Sequence, residues 1–101
     1  MSTLAKRLKE ARLKAGLSQE RLGVLAGIDE MSASARMNQY ERDKHAPDWL
    51  TVQRLASVLK VPVAYFYADD DALAELLLAY HSAPLEAREE AVNTLKSRRK
   101  D

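Results

Sequence analysis

The sequence predicts an all-α fold, and three observations support that prediction. Apolar residues recur every three or four positions along most of the chain, which is the spacing of helices that bury one face. No segment alternates apolar and polar residues for long enough to predict a strand. Glycine, proline and short polar residues divide the pattern into helical segments. We therefore expect a five-helix domain in residues 1–68 and a two-helix extension in residues 69–101.

The first two helices are short and lie on either side of a glycine. Helix 1 has an apolar stripe formed by Leu4, Leu8 and Ala11. Gly16 predicts its end, Ser18 is a favourable N-cap for helix 2, and Gly27 ends helix 2 after about two turns. Helices of this length are marginal by themselves, so we expect them to pack on the rest of the domain. We interpret Lys6, Arg7 and Lys14 as solvated charges on helix 1.

Helix 3, expected from about Met31 to Arg42, has two different faces. Its apolar face is formed by Ala33, Met37 and Tyr40. The rest of its surface carries short polar side chains and an arginine but no acidic residue, and comprises Ser32, Ser34, Ala35, Arg36, Asn38 and Gln39. A merely solvated helix normally mixes Glu and Lys, so this composition indicates a binding surface.

The remaining helices are predicted from proline and aspartate positions. Asp48 is the expected N-cap of helix 4, which ends near Leu59. Pro62 begins a short helix 5 over residues 63–67, because proline fits the first helical turn. Helix 6 is expected at about 71–81 and helix 7 at about 85–96, opened by Pro84. The basic residues 96–100 are expected to form a disordered tail.

Charge is distributed unevenly along the chain. Residues 1–60 hold eleven Lys or Arg against seven Asp or Glu, whereas residues 61–95 hold one basic and seven acidic residues. This asymmetry indicates that the first part meets a polyanion and the second does not, although such an excess is also common on ordinary surfaces. The sequence has no cysteine, which excludes disulfides and thiolate metal sites. We expect no cofactor or metal, no membrane association, and a cytoplasmic location.

The helix–turn–helix pattern becomes specific when its residues are compared with a known family. The relevant motifs are Leu17-Ser18-Gln19-Glu20-Arg21-Leu22, Ala26-Gly27-Ile28, Asn38-Gln39-Tyr40-Glu41-Arg42, Pro47 and Leu55-Ala56-Ser57-Val58-Leu59-Lys60-Val61-Pro62. Over roughly residues 3–68 the chain resembles the phage-repressor (Xre, Cro-like) type of helix-turn-helix protein. The resemblance implies a lambda-repressor-like domain whose third helix enters the major groove of double-stranded DNA.

The resemblance also implies which residues contact DNA. Gln39 matches a base-reading position, and Ser34, Arg36 and Asn38 are the other expected base readers. Backbone phosphates are expected to be bound by Ser18, Gln19, Arg42 and Lys44. His45 is a further phosphate candidate. For each of these residues the alternative interpretation is an exposed polar side chain without a role.

Arg12 and Glu41 are expected to have a structural rather than a DNA-binding role, and the chain departs from the resembled family at two places around helix 3. Arg12 and Glu41 match a salt-bridged pair of the resembled family, and pairing would explain a glutamate so close to DNA. The segment 29–35 is longer than the usual family spacing, so it should lengthen the turn or add a turn to helix 3. Asp43 stands where the family usually has glycine after helix 3.

The two-helix extension is apolar on one side and acidic outside. Its residues Leu73, Leu76, Leu77, Val92 and Leu95 need a partner beyond the five-helix core. They can pack back on their own domain or form a two-fold interface. We favour a homodimer, because two domains read half-sites about 34 Å apart and double the contacts with DNA.

The predicted function is a sequence-specific DNA-binding transcriptional regulator, most naturally a repressor of a pseudo-palindromic operator. An enzyme is not predicted, since the sequence offers neither a phosphate-binding glycine loop nor a cysteine nucleophile. The alternatives are an antitoxin that also binds a toxin protein, a restriction-modification controller, or a protein-interaction module with the same fold.

Overall fold

The computed structural model of the chain describes residues 2–100, and no strand forms among them. Its elements in chain order are α1 (Thr3–Lys14), α2 (Gln19–Leu25), α3 (Glu30–Glu41), α4 (Trp49–Leu59), a 3₁₀ helix (Val63–Tyr67), α5 (Asp71–Ser82) and α6 (Leu85–Arg98). The predicted all-α class is therefore confirmed. The fifth predicted helix is present but is wound as a 3₁₀ helix, which suits a segment of one to two turns.

The helix starts follow from side-chain caps. Ser18 Oγ accepts a hydrogen bond of 3.0 Å from the Arg21 amide, and Asp48 Oδ1 accepts one of 2.8 Å from the Thr51 amide. Both predicted N-caps are therefore confirmed. Asp29 caps α3 by accepting from the Met31 amide at 3.1 Å. The long segment 29–35 accordingly adds a turn to α3 instead of lengthening the loop.

The turn after α3 depends on an aspartate in a conformation that glycine favours. Asp43 has φ of 61°, and its Oδ2 accepts a hydrogen bond of 2.9 Å from the backbone amide of Ser2. Aspartate tolerates the left-handed region better than most residues do. Asp43 therefore keeps the turn that glycine would form and adds a contact to the start of α1.

A single core joins α1 to α4 and the 3₁₀ helix. Its largest fully buried side chains are Leu8, Leu22, Met37, Val52, Leu55 and Phe66. The helices α2 and α3 approach closely at Gly23, where an added Cβ would lie 2.9 Å from Ala33 Cβ. No side chain fits at that distance without a shift of the helices, so Gly23 sets the spacing of α2 and α3.

Arg7 corrects an expectation from the sequence, because it is buried rather than solvated. Its side chain is 4% exposed, its Nε donates to the Ala68 carbonyl at 2.9 Å, and its Nη2 donates to Asp71 Oδ1 at 3.0 Å. The guanidinium also lies 5.9 Å from the centre of the Tyr65 ring. Arg7 thus ties α1 to the start of α5.

The two C-terminal helices pack unequally. Helix α5 buries Ala74 against the 3₁₀ helix, and Leu77 and Leu78 are partly buried against the core. Helix α6 buries none of its residues and does not pack along α5. The predicted boundary near residue 68 falls in the link before α5, and the division into two domains stays a prediction.

The link between α5 and α6 explains why the two-helix extension, which we expect from the sequence to form a helical hairpin, does not fold back on itself. Ala83 and Pro84 are both extended, as the residue before a proline usually is, and they direct the chain away from α5. Arg88 fixes this link by donating to the Tyr80 carbonyl at 2.8 Å and the His81 carbonyl at 2.6 Å. Helix α6 continues to Arg98, so most of the basic tail that was expected to be disordered is helical. Asp101 lies outside the described residues.

Candidate nucleic-acid interface

Helix α3 presents one face to the core and the other to solvent. Ala33 and Met37 are 0% exposed and Tyr40 is 8% exposed, so the predicted inward face is confirmed. The predicted base readers Ser34, Arg36, Asn38 and Gln39 are all exposed. The core therefore holds α3 in one orientation and leaves its polar side chains accessible.

Arg12 and Glu41 form a buried ion pair at the end of α3. Arg12 Nε donates to Glu41 Oε2 at 2.6 Å, and Nη2 donates to Oε1 at 2.9 Å, which is the bidentate geometry of strong Arg–carboxylate pairs. Arg12 Nη1 also donates to the Leu17 carbonyl at 2.9 Å. The hydrogen bonds to Glu41 raise the pKa of Arg12 above its ordinary value. The pair thus fixes α3 relative to α1 and to the turn before α2.

Gln19 connects this pair to the exposed face. Its Nε2 lies 3.2 Å from Glu41 Oε1 and 3.4 Å from Asn38 Oδ1. The start of α2, with Ser18 as its cap, is therefore placed beside the exposed residues of α3. Because Ser18 Oγ accepts from the Arg21 amide, the Ser18 O–H and the amides of Gln19 and Glu20 are the donors of this segment that remain for an anion.

The predicted base readers do not form a single row on α3. Successive residues of an α-helix are about 100° apart, so Ser34 and Arg36 point about 160° away from each other. Asn38 and Gln39 lie in the middle of the exposed face, while Ser34 and Arg36 lie at its opposite edges. Ala35 shares the middle of the face and was left out of the predicted set, although its helical spacing places it there.

Met31 is a second exposed residue that sequence reasoning left out. It lies on the first turn of α3, one heptad before Asn38, and is 92% exposed. An apolar side chain with this exposure has no role in the core. The sequence signal that could have identified it is its spacing from Asn38 rather than its chemistry.

The basic residues around α3 are free of ion pairs within residues 2–100. Arg36, Arg42 and Lys44 are exposed, and none of them forms an ion pair with another described residue. Arg36 lies within electrostatic reach of Asp48 at the start of α4. The pKa of Asp48 is lowered chiefly by its hydrogen bonds from Thr51, with smaller contributions from the charges of Arg54 and Arg36. These cations are thus available to an anionic partner.

Other kinds of site find little support in this part of the chain. Residues 2–100 contain no group of three or more histidines and carboxylates arranged to hold a metal ion. None of the helices formed by these residues combines the length and hydropathy needed to cross a membrane. The exposed face of α3 is therefore the candidate functional site of residues 2–100.

Comparison with known proteins supports the same region. The family model described as a helix-turn-helix domain matches residues 3–65. The crystal structure of the transcriptional regulator BswR matches the fold with a TM-score of 0.87 and 49% sequence identity, covering 96% of this chain and 94% of that chain.

A curated relative matches over a shorter part. The HTH-type transcriptional regulator ImmR of Bacillus subtilis (strain 168) is 35% identical over 69 residues, which cover 68% of this chain and 51% of that protein. The match thus spans about half the length of this relative. Both relatives are named as transcriptional regulators and neither as an enzyme, in agreement with the prediction that the chain is not an enzyme.

Proposed function

The chain belongs to the helix-turn-helix domain family, and we propose that it is a DNA-binding transcriptional regulator that inserts α3 into the major groove of its operator. The observation that carries this proposal is the exposed face of α3, which is free of acidic side chains at its centre and held by a buried core. The major groove admits an α-helix and offers a distinct pattern of donors and acceptors for each base pair.

The middle of this face supplies the base contacts. Gln39 and Asn38 have side-chain amides suited to the N6 and N7 atoms of adenine. The methyl group of Ala35, which lies between them, suits contact with a thymine methyl group. Glu41 does not oppose binding, because its carboxylate is 3% exposed and paired with Arg12. The centre of α3 therefore favours A·T-containing half-sites.

The edges of the face supply a different contact. Ser34 and Arg36 point towards opposite walls of the groove when α3 lies along it. The long side chain of Arg36 reaches a guanine or a phosphate from its edge, whereas the short Ser34 reaches only the nearest base edge. We propose base reading for Asn38, Gln39 and Arg36, and a weaker sequence preference through Ser34.

Phosphate binding is proposed at two places beside α3. At the start of α2, the free amides that follow Ser18 and the side chain of Gln19 suit one phosphate. After the end of α3, Arg42 and Lys44 suit another. Such contacts orient a protein on the duplex and give no sequence preference by themselves.

We further propose that the regulator acts as a two-fold dimer. The supporting observation is the apolar surface of the C-terminal helices: Leu73, Leu76, Val92 and Leu95 are 36–57% exposed. Leu77 differs, because it is partly buried against its own core. A second copy covering the exposed residues would place two α3 helices on a pseudo-palindromic operator, and occupation of that operator would repress transcription.

Operator binding is tested by selecting bound sites from a random duplex pool and measuring affinity by fluorescence anisotropy. Gln39→Ala should lower the affinity for the selected operator about 10- to 100-fold. It should also abolish discrimination at one base pair of each half-site. Lys44→Ala should weaken binding to all DNA sequences alike. It should reduce the slope of log affinity against log salt concentration by about the amount of one phosphate contact. Lys9→Ala, at an exposed lysine of α1 outside both proposed interfaces, is the matched control. Unchanged affinity in both variants would contradict the groove assignment.

The dimer is tested by sedimentation and by operator binding together. Leu76→Glu combined with Leu95→Glu should give a monomer that binds a full operator no better than a half-site. Leu13→Glu is the control, because Leu13 is a 60% exposed leucine on α1, outside the proposed interface. A wild-type chain that is monomeric on the full operator would refute the dimer and leave DNA binding standing.

A further inference from the structure

A groove separates the second half of α5 from α1 and the end of α4. It contains a cavity of about 270 Å³ lined by residues of all three helices, among them Ala11, Lys14, Leu59, Lys60, Tyr65 and Leu78. A second cavity of about 380 Å³ continues along α1 and shares Lys14, Tyr65 and Leu78. The groove exists because α5 is held at its first turns by Arg7 and Ala74, while its later turns are only partly buried.

Three polar groups of the groove are without partners in residues 2–100. Neither the Lys14 nor the Lys60 ammonium forms an ion pair there. Tyr65 is 5% exposed, yet its hydroxyl makes no hydrogen bond to these residues. Because no fully buried side-chain polar atom of the described residues lacks a hydrogen bond, the Tyr65 hydroxyl retains contact with open space.

Lys60 occupies an unusual backbone conformation. Its φ of 58° and ψ of 43° are left-handed, at the helix end where glycine is the usual residue. A lysine there is strained, and strained non-glycine residues cluster at functional sites. The conformation places the residue at the rim of the groove, among the lining residues.

We propose that this groove binds a small amphipathic anion with an apolar body and one carboxylate. The apolar body packs between Leu59 and Leu78, the two ammonium groups attract the carboxylate, and the Tyr65 hydroxyl donates to it. Ligand pockets are commonly apolar with a few converging polar groups, and a cavity of this size admits a body of one or two rings. No acidic residue lines the first cavity, whereas Glu10, Asp71 and Glu75 line the neighbouring one, so the anion is placed in the first.

The ligand would connect three helices that the fold leaves partly separate. By contacting Leu78, it would fix the later turns of α5 against α1 and the end of α4. This consequence rests on the proposed function: a fixed α5 would set the position of the dimer helices relative to α3, and a ligand shifts such an equilibrium by its preference for one arrangement. The binding itself requires no DNA.

The probe is 2-naphthoate, with 2-naphthalenemethanol as its uncharged counterpart, added to the full ¹⁵N-labelled chain without DNA. We expect saturable amide shifts confined to the groove and tighter binding of the carboxylate. Lys14→Gln and Lys60→Gly should each lower the affinity for 2-naphthoate about threefold, which is the size expected for exposed charge pairs. Neither variant should change the affinity for the alcohol. Lys9→Gln, an exposed lysine of α1 outside the groove, is the control.

Lys60→Gly also separates binding from folding. Glycine adopts the left-handed conformation without strain, so the variant should melt no lower than the wild type while losing affinity for the carboxylate. Equal binding of acid and alcohol would overturn the proposal, as would the absence of saturable shifts. Shifts at the same residues on raising protein concentration alone would show that a second copy fills the groove, which also overturns it. None of these outcomes affects operator binding.

Discussion

The five-helix unit of residues 2–68 and helix α6 differ in how far their apolar side chains are buried. In the first region Leu8, Leu22 and Phe66 are 0% exposed, whereas no residue of α6 is buried and its Leu95 is 57% exposed. The short helices of the first region are stable because they share a core. Helix α6 has no such neighbour among residues 2–100. The comparison teaches that the first region completes its packing internally, whereas α6 leaves its apolar side exposed.

The largest expected effect breaks the buried pair of the first region. Glu41→Ala leaves the Arg12 guanidinium buried without its carboxylate, and should lower the free energy of unfolding by about 4 kcal/mol. Glu90→Ala, on the exposed surface of α6, should change it by less than about 0.5 kcal/mol. Urea denaturation measures both. Similar costs for the two glutamates would mean that the regions do not differ as described.

A pair of leucines sharpens the comparison for apolar packing. Leu22→Ala removes a fully buried side chain and should lower the free energy of unfolding by about 3 kcal/mol. Leu95→Ala should cost less than about 0.5 kcal/mol in dilute solution, and more at concentrations where the proposed dimer forms. Denaturation of each variant at several concentrations tests this. A large, concentration-independent cost for Leu95→Ala would place that residue in an intramolecular core.

The smallest effect concerns the junction between the regions and its pH dependence. The hydrogen bond from Arg7, followed by the charge of Lys6, lowers the pKa of Asp71 below its ordinary value of 3.8. Because the folded-state pKa is the lower one, the stabilisation is complete above the ordinary value and is lost as the pH falls through the folded-state pKa. In the Asp71→Asn variant, the free energy of unfolding should therefore depend less steeply on pH below 3.8. Melting temperatures across this range measure the slope, and an unchanged slope would contradict the role of Asp71.

Much of the first region could be predicted from the sequence because its signals are local. Ser18 and Asp48 cap the helices that they precede, and the spacing of Ala33, Met37 and Tyr40 identifies the buried face of α3. The burial of Arg7 could not be predicted, since its main-chain partner Ala68 is 61 residues away. No local pattern distinguishes an arginine that meets such a carbonyl from one in solvent.

The candidate site was predicted in part for a similar reason. Asn38 and Gln39 lie at the middle of the exposed face, as expected. Ser34 and Arg36 were grouped with them by chemistry, whereas helical geometry separates the two to opposite edges. Ala35 was left out because an alanine carries no polar signal. The arrangement of α6 could not be derived, because no residue of this helix is buried against the described core and its spacing of apolar residues alone does not fix its direction.

The close contact at Gly23 has a consequence for redesigning specificity. The tilt of α3 is set from behind, where Gly23 meets Ala33, and not by the side chains that face outward. Residues such as Ala35, Asn38 and Gln39 can thus be exchanged without disturbing the angle at which the helix is held. If α3 reads DNA as proposed, new operator preferences can be selected at those positions on an unchanged scaffold, provided that position 23 keeps its hydrogen side chain.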